Sequence, residues 1–409
     1  MTTFESLIND LARAILMARG LHVDLPTEQL GQLEQVELSD DLLSAQNLAT
    51  ELVLDAYRNG FKHNIQITDR KVEPLSGGMA AQYVFTLASK IKVVCKVDQS
   101  EKLAGEARKL IALKDREGLV PDLVDRFPRI YAAKIDAPPY AYVMEQLPSP
   151  PYVKLSDCLL NPRDHDLTKI GPKVIDTLLR LYGATVDRTL IPNLTTIYLD
   201  RIVDRIRRAG SLDAEFSELS KGELRVNNDA FCDLSSYVKD MQAALDRIAP
   251  RFVTFVHGDP HPGNVLIDSE TLEPRFIDVK DWYAGDYIWD IGKLIHYTLV
   301  TSPVEDLRLI SEKPEFRVDD CRELSYAFDV PQANSDFAGR ILESVRRFAD
   351  STGDRYWEAR LYLSIAANLL GLPEARLERR MRDSAFICFG EGLRWFSRST
   401  AMLRATNMT

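Results

Sequence analysis

The run His257-Gly258-Asp259-Pro260-His261-Pro262-Gly263-Asn264, followed by Phe276-Ile277-Asp278, combines the residue types that metal-assisted phosphoryl transfer requires. An aspartate at position 259 can orient an acceptor hydroxyl and take its proton. Asn264, five residues on, and Asp278, closing an apolar run, can hold Mg2+ against the phosphates of ATP. Pro260 and Pro262 restrict the loop before substrate arrives, and Gly263 lets the backbone turn sharply or pass close to a phosphate. The competing reading is a hairpin whose Asp and Asn only cap turns. The His-Gly before the loop and the Phe-Ile-Asp after it favour chemistry.

These residues need elements to present them. An apolar strand over 252–256 leads into Asp259, and short strands over 265–267 and 275–279 follow, so one end of a small β island receives all three side chains. Asp286 reads as a loop organiser. Trp289-Asp290-Ile291-Gly292 opens an apolar helix in which Asp290 caps the helix or braces the loop, and His257 reads as a packed histidine that shapes it. His261 stays open between these roles, and the remaining histidines show no metal spacing.

Upstream, alternation predicts strands over 65–72, 83–87 and 91–97, a helix over 101–114, and strands over 130–135 and 140–145. Gly77 and Gly78 fall between the first two strands. Lys96 stands alone in the apolar strand Val93-Val94-Cys95-Lys96-Val97, a costly place unless it meets an anion. Glu106, ten residues on, could supply the carboxylate, although Glu101 is also close. Helical periodicity at 4–20 and 44–57 precedes the strands. Beyond Pro148 the chain is mainly helical, with segments at 172–187, 195–209, 233–248, 290–300, 337–350, 355–370 and 383–403. Three regions follow: a helical extension over 1–64, a small α+β lobe over 65–147, and a helical lobe over 148–409.

The ordered set His-Gly-Asp-x-His-x-x-Asn, Ile-Asp, Gly285-Asp286 and Trp289-Asp290 resembles the aminoglycoside phosphotransferase and choline kinase family of kinase-like enzymes, over roughly residues 70 to 300. The resemblance implies an α+β, bilobal, protein-kinase-like fold with a small β-rich N-lobe, a large mainly helical C-lobe, and ATP (GTP in some members) between them. It makes Asp259 the catalytic base and Asn264 and Asp278 the Mg2+ ligands. Lys96, braced by Glu106, would hold the α- and β-phosphates beneath a Gly77-Gly78 loop. Backbone groups from Glu145 to Leu147 would meet adenine.

Two features narrow the acceptor. The chain has His-Gly-Asp where protein kinases carry His-Arg-Asp, so no arginine there can answer a phosphorylated loop. Seven residues separate Asp278 from Asp286, too few for a peptide-supporting segment, and no Ala-Pro-Glu follows. The expected acceptor is the hydroxyl of a small molecule such as an aminoglycoside, another antibiotic, an amino-alcohol or a sugar. A macromolecular kinase and a catalytically silent binding module are the alternatives.

Bulk properties agree. With 45% apolar and 27% charged residues among 409, and a net charge of −10, the chain is an ordinary globular one that repels nucleic acid. No run reaches the length of a membrane span. Five dispersed cysteines suit reduced thiols and a cytoplasmic setting. The acidic run between Asp213 and Asp240 reads as a cation site or, more simply, a solvated face. The N-terminal helices read as a packing accessory or homodimer contact.

Overall fold

The computed structural model describes residues 69–72, 81–86, 92–114, 119–147, 150–280, 284–318 and 321–406. The helices expected over 4–20 and 44–57, and the Gly77-Gly78 loop, lie outside the described residues. The chain divides into two compact units. Among the described residues, one holds those up to Arg108 together with Arg129–Leu147; the other holds those of Lys109–Pro128 and those beyond Leu147.

In the first unit β1 (Asp69–Val72), β2 (Ala81–Thr86), β3 (Lys92–Asp98), β4 (Ile130–Lys134) and β5 (Tyr140–Glu145) form an antiparallel sheet of order β1-β2-β3-β5-β4. Strand β3 is central, and its Val93, Val94, Cys95 and Val97 are buried on both faces. That explains a nearly continuous β-branched run rather than alternation. Helix α1 (Glu101–Lys114) is rich in good helix formers, with Glu101 in its first turn and Lys114 in its last. Its Leu103 and Ala107, one turn apart, pack with Val94, Tyr142 and Met144.

The second unit is built on helices α2 (Leu167–Ala184), α3 (Arg201–Leu212), α4 (Ile288–His296), α5 (Gln332–Thr352), α6 (Trp357–Leu370) and α7 (Arg382–Thr406). Wide (π-type) turns adjoin two of them: Thr195–Asp200 runs into α3, and Tyr297–Asp306 continues α4. Helix α6 is buried almost all round and packs against α4 and α7. At the α4–α6 contact a Cβ on Gly292 would lie 2.1 Å from Ser364 Oγ, so only glycine permits that approach.

Two small sheets complete this unit. Strand β6 (Tyr152–Lys154) joins β9 (Val265–Asp268) and β10 (Pro274–Phe276) in the order β10-β9-β6. A four-stranded sheet, β11-β12-β7-β8, comprises β7 (Leu224–Val226), β8 (Asp229–Phe231), β11 (Ile310–Val318) and β12 (Arg322–Phe328). The strand expected over 252–256 is not one. The segment is buried, yet it makes single bridges only, Asp187 to Val253 and Thr254 to Gly285. The Phe255 N–H instead donates to Thr185 Oγ1 at 3.0 Å, so loops and a side chain satisfy a backbone that a ladder would otherwise serve.

Candidate active site

The loop that carries Asp259 hangs from α4. The Asp290 carboxylate accepts the N–H groups of His257 (2.6 Å) and Gly258 (2.8 Å) and the Tyr182 hydroxyl (2.9 Å). Trp289 Nε1 returns a bond to the Gly258 carbonyl at 2.8 Å. Full burial raises the Asp290 pKa against the pull of these donors. Gly258 takes φ +90°, and a Cβ there would lie 2.7 Å from Lys280 Cβ. Conformation and space both call for glycine.

His257 is fully buried beside the rings of Phe127 and Phe276. Its Nδ1 accepts the Asp259 N–H at 3.2 Å, and its carbonyl accepts Lys280 N–H (2.9 Å) and Lys109 Nζ (3.3 Å). Burial, helped by the Lys109 charge, lowers its pKa to about 3. The neutral ring thus accepts one loop N–H, and its Nε2 is buried without a hydrogen-bond partner among the described residues.

Asp259 faces two ammonium groups: Lys293 Nζ at 3.0 Å from Oδ1 and Lys280 Nζ at 3.2 Å from Oδ2. Burial works to raise its pKa, but Lys293 and Lys280 outweigh that and hold the carboxyl far below the usual carboxylate range. Its carbonyl accepts Asn264 Nδ2 at 3.0 Å. Asn264 sits in the tight turn Pro262–Asn264, its N–H bonded to the His261 carbonyl at 2.7 Å, and its own carbonyl accepts Ile277 N–H at 3.0 Å. The loop is thereby tied directly to the Ile277-Asp278 segment. Asp278 is half-buried in the left-handed region at φ +59°, and its charge, like that of Asp259, acts on the imidazoles of both His257 and His261. His261 Nδ1 accepts Gly263 N–H at 3.1 Å, and its ring stacks on Tyr297.

These positions suit a hard divalent cation. With Nδ2 committed to the Asp259 carbonyl, Asn264 Oδ1 is the atom left to meet a metal, and Asp278 adds a carboxylate. No group of three or more His, Cys, Asp or Glu side chains able to hold a metal occurs among the described residues. An ion here would therefore complete its shell with phosphate oxygens and water, which is how Mg2+ is commonly held.

Asp286 lies in a separate, fully buried network. It accepts Tyr198 Oη (2.8 Å), Arg360 Nε (2.8 Å) and the Ile288 N–H (3.2 Å) at the start of α4. Arg360 also binds Asp354 and, at 2.9 Å, the Ile248 carbonyl, while Tyr287 Oη reaches Asp354 at 2.9 Å. Asp286 thus anchors the root of α4, as a loop organiser should. Arg360 is the part of this network the motifs do not show; its signal is one arginine inside an apolar helix.

In the first unit Lys96 Nζ lies 3.5 Å from Glu106 Oε2, which also accepts the Tyr142 hydroxyl at 3.2 Å. Lys96 is 4% exposed, and β2 and β5 fix its register opposite Gln82 and Tyr142. Glu101 instead meets Arg108 at 3.7 Å on an exposed surface, so Glu106 is the lysine's partner. Glu145 ends β5, its N–H donating to the Arg129 carbonyl at 2.9 Å; Leu147 follows, half-buried.

The acidic run is spent on neighbours. Asp213 caps a short helix through the Phe216 N–H and also meets Arg382, as Glu215 does; Glu218 pairs with Lys221, Asp229 with Arg394, and Asp240 with Arg404. Such exposed pairs are weak. Lys280 and Lys293 carry no motif signature. They are found only once the fold sets them beside Asp259.

No curated protein sequence matches the chain. Among solved structures it is similar to Plasmodium vivax ethanolamine kinase (11% identity, 95% of this chain and 94% of that one, TM-score 0.49). It is also similar to an aminoglycoside phosphotransferase from Alicyclobacillus acidocaldarius (13%, 92% and 99%, 0.46) and a macrolide 2'-phosphotransferase from Brachybacterium faecium (14%, 83% and 97%, 0.43). The family model described as "Phosphotransferase enzyme family" matches residues 71–313, more than half of the chain and all of the described loop from His257 through Asp290. With its catalytic-loop residues held as described, the chain belongs to the phosphotransferase enzyme family.

Proposed function

We propose that this protein transfers the γ-phosphoryl group of ATP to a hydroxyl of a small molecule, in the cytoplasm and with Mg2+. The observation that carries the reading is the bonded unit of Asp259, Asn264 and Ile277-Asp278, suspended from Asp290. Asp259 accepts the hydrogen bond of the incoming hydroxyl and aims its oxygen. Because Lys293 and Lys280 keep that carboxylate ionised, it is a weak base whose main contribution is orientation. Weak basicity is sufficient where the transition state is loose and the hydroxyl proton leaves late. Asn264 Oδ1 and the Asp278 carboxylate would hold the metal, which when bound supplies neutralising charge to the phosphates. In the first unit Lys96, braced by Glu106, is the candidate cation for phosphate and the backbone from Glu145 to Leu147 the candidate for the base; GTP is the alternative nucleotide.

The test is transfer of labelled γ-phosphate by the purified protein with Mg2+ across panels of neutral, amine-bearing and acid-bearing alcohols. A phosphate ester on one of them supports the reading. Label found only on protein, or no transfer to any alcohol despite bound Mg-ATP, overturns it.

A further inference from the structure

Two ammonium groups flank Asp259, Lys293 at 3.0 Å and Lys280 at 3.2 Å. Arg201, the first residue of α3, turns toward the same place: its guanidinium and Lys293 Nζ lie over the Trp289 ring, at 5.4 and 5.6 Å from the centroid. Arg201 Nε is buried and has no hydrogen-bond partner among the described residues. Glu374, a carboxylate that acts on Arg201, is taken by Arg205 at 2.5 Å, with Arg208 at 3.7 Å. Both π-type turns adjoin this cluster, Thr195–Asp200 immediately before Arg201 and Tyr297–Asp306 immediately after the helix that carries Lys293. Such turns are frequent at functional sites because they break the regular stacking of side chains.

Nε packs against Gly371, and no hydrogen bond or ion pair holds the terminal nitrogens among the described residues, so they are the atoms left for an anionic ligand. The guanidinium fork also matches a carboxylate or phosphate in shape. We propose that the acceptor alcohol of this enzyme carries an anionic group, a carboxylate or phosphate, bound by Arg201 and Lys293 while its hydroxyl meets Asp259. This rests on the phosphotransferase reading above and narrows it away from the polycationic acceptors that an acidic pocket would take.

The test pairs acceptors that differ only by the acid group: serine with ethanolamine, glycerate with glycerol, gluconate with glucose, and glycerol 3-phosphate with glycerol. ADP release with the whole protein should favour an acid member over its partner by at least tenfold in kcat/KM. Arg201→Gln should raise KM for that acid at least tenfold with kcat within about threefold, and Arg201→Lys should recover part of the loss. Preference for the neutral or amine members, or an unchanged KM in Arg201→Gln, overturns the inference while leaving phosphotransfer intact. If no alcohol is turned over, the phosphotransferase reading falls instead. The anion site is then read by thermal shift: protection by glycerate or glycerol 3-phosphate but not glycerol, lost in Arg201→Gln, supports it, and no protection overturns it.

Discussion

At residue scale the clearest outcome concerns charge. Lys293 and Lys280 hold Asp259 ionised, so Asn there removes a charge while keeping the side chain's shape and tests the aiming role proposed for it. Asp259→Asn and Asp278→Asn should each lower kcat by about 10²–10⁴-fold; Asp259→Asn should also lower the melting temperature, because it leaves Lys293 without its carboxylate, and an activity loss under tenfold in either would remove its assigned role. Gly258 is different, because its value is conformational. Alanine there must adopt φ +90° and displace Lys280, so Gly258→Ala should destabilise by about 1–3 kcal/mol in denaturant titration. Arg360 is the structural counterpart. Arg360→Ala would strand Asp286 and Asp354 without their cation in a dry interior, at a cost of about 3–5 kcal/mol. An Arg360→Ala loss under about 1 kcal/mol would show that the pair is not the anchor of α4.

At element scale the sequence was legible where one pattern had one explanation. Strand β5 and helix α1 fall where expected, 140–145 and 101–114: β5 is a short apolar run, buried on both faces and bounded by prolines, and α1 repeats its apolar residues turn by turn. The 252–256 segment looked like a strand because burial alone makes a short run apolar; hydrophobicity does not reveal whether a ladder partner exists. Strands β7, β8, β11 and β12 escaped notice for the opposite reason. Strand β11 carries Pro314 and several charges and is mostly exposed, so neither composition nor alternation marks it. The motif residues could be read because their spacing is short and local. Lys280, Lys293 and Arg201 could not, since nothing in the chain brings 201, 259 and 293 together until α3 and α4 have both packed against α6.

At the scale of the whole molecule, buried histidines set the response to acid. Burial lowers the pKa of His257, His261 and His296, to about 3 for His257, against an ordinary value of 6.5. Below pH 6.5 the unfolded chain takes up protons that the folded chain refuses, so stability falls as pH drops, by about 1.4 kcal/mol per unit for each fully excluded proton. Asp290, raised by burial, works the other way below about pH 6 by binding a proton in the folded state, and so offsets one histidine. Denaturant midpoints should be lower at pH 5 than at pH 7, and an equal or higher midpoint at pH 5 would contradict neutral, buried imidazoles. No helix among the described residues is long and apolar enough to cross a membrane.

The contact between Gly292 and Ser364 reaches further than its size suggests. Helix α4 bears Trp289 and Asp290, which suspend the Asp259 loop, and Lys293, which pairs with Asp259; that whole assembly is clamped to α6 at a point with no clearance for one methyl group. The machinery is therefore mounted on the innermost scaffold instead of a pliable rim, and a bulkier residue at 292 or 364 would act as a shim, tilting the aspartate off its target from a distance. On gentle heating, turnover and helical signal should fade along one curve.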